Sequence, residues 1–322
     1  MISLDFVAQT YHKPLISLVF EAQTIHRQYH QADAVQLCTL ANIKSGRCPE
    51  DCKYCPQSAR YKTEAETYPL LPLAEVITQA QAAKANGSTR FCMGAAWRSL
   101  PDGEEFDRII AMIEAVVDLE MEACVTLGMV RPDQAQRLAQ AGLTAYNHNL
   151  DTSAQFYPDI ISTRTYRDRL DTIQAVADAG IQVCCGGIVG MGETDRDRIE
   201  LLHTLANITP QPQSVPINAL VPVEGTPLAD QAIVDPIVLV RMVATARIIM
   251  PRTVVRLSAG RTAMSTAEQA LCFMAGANSI FTGEKLLTTA NPGNSADALM
   301  FEQLGLSAWE SLPHLPQEKL PV

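Results

Sequence analysis

Basic charge is scarce in this chain beside acidic charge. Lys and Arg number 25 against 35 Asp and Glu, which leaves a formal net charge of −10. That balance argues against a nucleic-acid partner, because nucleic acids select basic surfaces. No apolar run approaches the ~20 residues that a membrane-spanning helix needs. The N-terminus lacks a basic stretch followed by an apolar core and a small-residue cleavage site, so no secretory leader is expected. The six His (His12, His26, His30, His148, His203 and His314) show no metal spacing and are assigned no role. Low-complexity linkers are also missing, so no internal domain boundary is placed. These absences predict a soluble, cytoplasmic protein without membrane or nucleic-acid partners. Hydrophobic residues reach 47% while aromatics make up 6%, which suits a packed α/β protein.

What the chain does have is cysteine. Nine cysteines, an odd number without a leader, argue against a disulfide framework and for a reducing compartment. Cys48, Cys52 and Cys55 stand at C-x3-C-x2-C spacing, with Pro49 and Pro56 holding the run out of helix. Soft thiolates select zinc, copper(I) or iron–sulfur clusters. A structural zinc site wants a fourth ligand, and no His or Cys follows at once. Three thiolates on a [4Fe–4S] cluster leave one iron without a protein ligand, open to a substrate or cofactor. The spacing favours the cluster and leaves a zinc knuckle or inert thiols as alternatives.

From Val35 onward a unit repeats: a short apolar strand, a Gly-rich or polar loop, an amphipathic helix. Strands are expected near Leu37–Asn42, Arg90–Gly94, Ala123–Gly128, Thr144–Asp151, Val183–Gly187, Ser214–Leu220, Val254–Ala259 and Ser279–Thr282. Helices are expected between them, at about 73–86, 104–119, 132–141, 164–179, 194–206, 235–249 and 265–275. Strands alternating with helices predict parallel pairing. Eight such units predict an α/β fold of the (β/α)8 TIM-barrel type. A doubly wound sheet is the alternative, but no G-x-G-x-x-G follows the first strand. The expected organisation is an N-terminal helical extension (1–34, one amphipathic helix), a barrel (35–283) and a C-terminal tail (284–322) placed over a barrel end.

Alternate residues of a barrel strand face the interior. Applied to these strands, parity groups Cys92 with Gly94, Cys124 with Thr126, and Asn147 with Asn149 and Asp151. It also sets Cys184, Asn218 and Arg256 on inner faces, while His148 and Cys185 point toward the helices. Barrel interiors are ordinarily filled with Val, Ile and Leu. Buried polar groups cost several kcal/mol when unsatisfied, so this interior is expected to hold ligands. A lone inward Cys is more often an inert core residue. Arg256, which only donates, reads from its chemistry as an anion clamp.

The Cys octet, with Tyr54 before its last thiol, resembles the signature of the radical S-adenosylmethionine (SAM) superfamily. The longer string Gly46-Arg47-Cys48-Pro49-Glu50-Asp51-Cys52-Lys53-Tyr54-Cys55-Pro56-Gln57-Ser58 closely resembles the biotin synthase family within it. The likeness runs from about Leu37 to about Asn291. It implies a sulfurtransferase that converts dethiobiotin to biotin, the last step of biotin biosynthesis. A [4Fe–4S] cluster on Cys48, Cys52 and Cys55 would cleave SAM. A [2Fe–2S] cluster on Cys92, Cys124, Cys184 and Arg256 would donate the sulfur, so no side chain acts as acid, base or nucleophile. By the same resemblance, Tyr54, Gly94, Asn149, Asp151, Arg169 and Ile188 would contact SAM. Ile188 lies in Gly186-Gly187-Ile188-Val189-Gly190-Met191-Gly192-Glu193, the superfamily's G-x-I-x-G-x-x-E pattern. Arg169 reads otherwise as an ordinary helix-surface Arg. Asn147 and Asn218 would hold the ureido ring of dethiobiotin. The resemblance also implies a flavodoxin or ferredoxin electron donor and a homodimer. Cys38 and Cys272 match no ligand position and are read as core. A hydrogenase-maturing radical SAM enzyme and a plain iron–sulfur electron carrier are the rival readings.

Overall fold

The structure is a computed structural model and describes residues 1–309. His314 and the last part of the expected tail therefore lie outside the described residues. Elements run in chain order as α1 (Leu4–Tyr11), α2 (Leu15–Tyr29), β1 (Ala34–Lys44), α3 (Leu73–Ala85), β2 (Arg90–Ala95), α4 (Glu104–Asp118) and β3 (Glu122–Thr126). They continue as α5 (Pro132–Gln140), β4 (Ala145–Asn147), α6 (Tyr157–Ile160), α7 (Tyr166–Asp178), β5 (Gln182–Cys184), β6 (Gly187–Val189), α8 (Asp195–Asn207) and β7 (Ser214–Ala219). The last are α9 (Pro236–Ile249), β8 (Val254–Leu257), α10 (Thr266–Met274), β9 (Ser279–Thr282), α11 (Asn294–Leu304) and β10 (Ser307–Ala308).

Every strand pairing is parallel, and β9 pairs with β1 (Gln36↔Ser279, Cys38↔Phe281), which closes the sheet into a barrel. This is the (β/α)8 TIM-type architecture that alternating strands and helices predict. Its fifth stave is not the single strand expected over Val183–Gly187. It breaks into β5 and β6, and only β6 carries on along β7 beyond Cys184↔Ser214. The break falls at Cys185-Gly186. A Cβ on Gly186 would stand 1.9 Å from the Pro216 carbonyl oxygen, so the backbones cross there at a distance only glycine allows.

The helix starts follow from their capping residues. Thr165, Thr194 and Ser265 each accept from the backbone N–H three residues on, while Asp168, Asp197 and Glu268 reach back, closing capping boxes on α7, α8 and α10. The N-terminal extension departs from expectation: it is two helices, α1 and α2, not one. Pro14 has no N–H to continue α1 and becomes the N-cap of α2. These helices pack on α8, α9 and α10. Among the described residues no helix is long and apolar enough to cross a membrane.

Side chains divide between two layers. Phe91, Met93, Val125, Tyr146, Val183, Ile217 and Val255 point outward into one large apolar cluster with the helices. Inside the barrel a separate small cluster holds Cys38, Cys92, Cys124, Ala145, Phe281 and Leu286. After β9 the chain bends back through a Lys285↔Ala290 bridge and lays Leu286–Thr289 across the mouth at the strands' C-terminal ends. It then returns through α11 to pair β10 with the opposite end of β1 (Ala34↔Ser307).

Candidate active site

The long loop after β1 carries the three thiols of the octet. Its base is closed by Cys48 N–H donating to Gln57 O (3.0 Å) and Ala59 N–H donating to Cys48 O (2.7 Å). Inside, Cys55 N–H donates to Cys52 O (2.9 Å). All three thiols are free and line one cavity of about 320 Å³ at the barrel mouth. Burial pushes the Cys52 thiol up to about 11 and the Cys55 thiol up to about 12. Such thiols are neutral unless a cationic centre deprotonates them, which is what a coordinating metal does. No three His, Cys, Asp or Glu among the described residues are grouped to hold a single metal ion. The donor set itself, soft sulfur from three residues around a shared void, fits an iron–sulfur cluster.

A second loop, before α7, clamps this one from outside. Asp51 accepts from Ser162 N–H (2.9 Å), Thr163 N–H (3.1 Å) and Thr163 Oγ1 (2.9 Å). Burial raises the Asp51 carboxyl, but these hydrogen bonds outweigh it and hold it down at about 2. Glu50, buried beneath, accepts from Arg98 Nη1 at 2.9 Å and lies 3.7 Å from Arg164 Nε. The Arg164 Nη2 stands 3.9 Å from Cys52 Sγ, so one cation borders the thiol loop.

One wall of the cavity is a hydrogen-bonded chain. Tyr54 Oη donates to Asp151 Oδ2 at 2.9 Å, and Arg169 Nη2 donates to the same oxygen. Arg169 Nε also donates to Tyr157 Oη at 3.0 Å. Asp151 sits at φ 67°, a left-handed turn that its short polar side chain tolerates, and its carbonyl accepts from Ile188 N–H at 2.8 Å. Glu193 takes the backbone N–H of Gly190 (2.8 Å) and Met191 (2.7 Å) and so closes the Gly-rich turn.

Deeper in the barrel, Cys92 and Cys124 are register partners on β2 and β3. The mutual influence of these paired thiols raises Cys92 and lowers Cys124. Cys184 Sγ accepts from Asn147 Nδ2 at 3.3 Å and lies 3.9 Å from Arg256 Nη1. Arg256 is buried, with its guanidinium 4.8 Å over the Phe281 ring. Burial alone would lower Arg256, but the thiols of Cys38, Cys184 and Cys92 around it raise it. Between the two sulfur groups, Asn147 Oδ1 accepts from Thr126 Oγ1 at 3.2 Å. Asn218 Nδ2 donates to Gly187 O at 3.0 Å, and its Oδ1 accepts from Ala259 N–H at 3.3 Å.

Residues 42–205 match the Radical SAM superfamily, and residues 216–307 match the Biotin and Thiamin Synthesis associated domain. Over 305 residues the chain is 66% identical to the biotin synthase of Synechococcus sp. (strain JA-3-3Ab), covering 95% of this chain and 98% of that one. The chain belongs to the biotin synthase family. The biotin synthase of Gloeobacter violaceus is 60% identical over 300 residues, with 93% of this chain and 94% of that one covered. Among solved structures, methylornithine synthase superposes with a TM-score of 0.79 at 15% identity, covering 96% of this chain and 94% of that one. The [FeFe]-hydrogenase maturase from Carboxydothermus hydrogenoformans gives 0.79 at 15%, covering 95% and 76%. At that identity the last two speak for the fold alone.

In this biotin synthase family member the cavity brings together most of the residues singled out from the sequence. Cys48, Cys52, Tyr54, Cys55, Cys92, Cys124, Asn147, Asn149, Asp151, Arg169, Ile188, Asn218 and Arg256 all line it. Cys184 lies just behind, against Arg256 and Asn147. Gly94 is not in the lining. A Cβ there would stand 2.4 Å from Leu287 Cδ2, so its bareness makes room for the segment over the mouth. Arg169 is buried, not an ordinary surface residue of α7. Cys185 and Cys272 pack in the outer apolar cluster. His148 borders the cavity as well, with its ring 6.4 Å from that of Tyr146, on the face that parity gives it. Burial, followed by the charges of Arg169 and Arg164, holds its imidazole well below the usual range. Glu50, Arg98 and Arg164 were missed as parts of the site. Arg164 stood in a run of charges that reads as a solvated helix start, and only the tertiary clamp on the Cys loop reveals it.

Proposed function

We propose that this chain catalyses the reaction for which its family is named, the radical, SAM-dependent insertion of sulfur into dethiobiotin to give biotin. The observation that carries this is one cavity with two sulfur groups. Cys48, Cys52 and Cys55 stand at its mouth, Cys92, Cys124 and Arg256 line its depth, and Cys184 lies just behind them against Arg256. The first group would hold a [4Fe–4S] cluster and the second a [2Fe–2S] cluster. When bound, the former supplies the electron that cleaves SAM to a 5′-deoxyadenosyl radical, and the latter supplies the sulfur.

The chain's own residues bind, orient and shield. Asp151 has lone pairs left after its bonds to Tyr54 and Arg169, which suits ribose hydroxyls. Arg169 and Asn149 face the same space, with Ile188 beside them as an apolar surface for the adenine. Asn147 and Asn218 each hold their amides by backbone or side-chain contacts. Each keeps a free donor or acceptor valence, the pairing that a cyclic urea offers in return. Leu286 and Leu287 lie over the mouth, where they keep water from a reactive radical. A low-potential carrier such as flavodoxin or ferredoxin would deliver the electrons, and the enzyme would act as a homodimer in the reducing cytoplasm.

The test is anaerobic incubation of the reconstituted protein with SAM, a reductant and dethiobiotin. Formation of 5′-deoxyadenosine and biotin is expected. Release of 5′-deoxyadenosine without biotin would point to another radical SAM reaction, and absence of both products would reject the enzyme reading. Iron and acid-labile sulfide counts on the same sample check the two clusters.

A further inference from the structure

The barrel interior holds a thiol for which no role has been given. Cys38, on β1, is fully buried, and its Sγ lies 3.2 Å from Arg256 Nη2. The other arm of that guanidinium points Nη1 toward Cys184 Sγ at 3.9 Å. Ser279 Oγ accepts from Arg256 Nε at 3.0 Å and lies 3.7 Å from Cys38 Sγ, so the two side chains share one anchor. Cys38 packs in the same inner cluster as Cys92 and Cys124, whereas Cys185 and Cys272 pack outside the barrel. Arg90, the register partner of Cys38 on β2, leaves its buried Nη1 without an acceptor. Two thiols, Cys38 and Cys184, therefore flank one guanidinium group, and Cys92 and Cys124 lie in the same inner cluster as Cys38. Thiolate is also a softer donor than a guanidine nitrogen, and iron–sulfur clusters select it.

We propose that Cys38 is a fourth thiol donor of the interior cluster site, taking the iron position of Arg256 when the guanidine leaves it. The inference rests on the reading of Cys92, Cys124, Cys184 and Arg256 as cluster ligands. The exchange balances without a redox partner. A ligating guanidine is neutral, and the thiol of Cys38 gives its proton to that guanidine. The nitrogen–iron bond breaks, the sulfur–iron bond forms, and the guanidinium is regenerated beside the new thiolate. Arg256 is thus a replaceable ligand, and its loss leaves the site with four sulfur donors.

The test uses reconstituted full-length protein carrying Cys52→Ala, so that the interior centre is observed alone. Arg256→Ala is then compared with Arg256→Ala/Cys38→Ser and Arg256→Ala/Cys38→Ala by iron content, resonance Raman and Mössbauer spectroscopy. Arg256→Ala is expected to keep its interior iron with all-thiolate spectra. Both double variants are expected to lose that signature or to hold several-fold less iron. Identical iron and spectra in the single and double variants would overturn the role of Cys38 and leave the second-cluster reading standing. A Cys52→Ala protein with no interior cluster would overturn that reading and the inference with it.

Discussion

Arg169 and Asp151 form an ion pair whose side chains are only 5% and 3% exposed, on the cavity wall. A buried pair of this kind adds little net stability, but breaking it strands a charge, which costs about 3–5 kcal/mol. Arg169→Met should therefore lower the urea midpoint by an amount worth about that much. Adding Asp151→Asn should restore part of it, because the stranded charge is removed. If Arg169→Met alone unfolds like the wild type, the pair is not buried as described. Both variants should also bind SAM weakly, which equilibrium dialysis would show.

The two sulfur groups should separate by mutation. Cys52→Ala should abolish SAM cleavage and leave the [2Fe–2S] absorbance. Cys124→Ala should do the reverse, sparing SAM binding while stopping sulfur insertion. Equal damage to both centres by both changes would contradict the two-site assignment. Cys185→Ser should keep both clusters, because Cys185 packs in the outer cluster. Its buried hydroxyl should cost about 1–3 kcal/mol where no partner is found.

The barrel was readable in the chain because each β-strand carries its own period and each helix its own start signal, as at Thr165, Thr194 and Ser265. Strand parity reached Cys92, Cys124 and Arg256 because β2, β3 and β8 are regular over those residues. It did not foresee the broken fifth stave at Gly186. That break has no local signal, since it depends on what a neighbouring strand leaves room for. Arg164 and Cys38 were hidden for a similar reason. Their meaning lies in Cys52 and Arg256, residues more than 100 positions away.

Two glycines separate close packing from function. At Gly186 an added methyl would meet the Pro216 carbonyl oxygen at 1.9 Å, and backbone cannot yield. At Gly94 it would meet the end of the Leu287 side chain at 2.4 Å, which can turn away. Gly186→Ala should therefore cost about 3 kcal/mol or more and Gly94→Ala about 1 kcal/mol. Because Leu287 covers the mouth, Gly94→Ala should act mainly on substrate affinity. Thermal unfolding checks the first pair of values, and KM against kcat checks the second effect. Equal destabilisation by both changes would mean that the Leu287 segment is as rigid as the barrel.

The N-terminal helices should make the fold acid-sensitive. Burial, followed by the charge of Arg247, lowers the His26 imidazole to about 3 from its ordinary 6.5. Its folded-state pKa is depressed, so the unfolded chain binds the proton first. Stability is unaffected above pH 6.5, falls as pH drops below that value, and levels only near pH 3. At pH 5 the loss from this one group is about 2 kcal/mol. The groups facing it include His30, stacked at 5.2 Å, with Arg247 and Arg27 nearby, and none of them offers a carboxylate to stabilise the charged ring. Urea unfolding at pH 8 and pH 5 should show the wild type losing about 2 kcal/mol more than His26→Leu between the two conditions. If the two proteins lose the same amount, His26 titrates at its ordinary value and is not packed as a neutral ring where α2 meets α9.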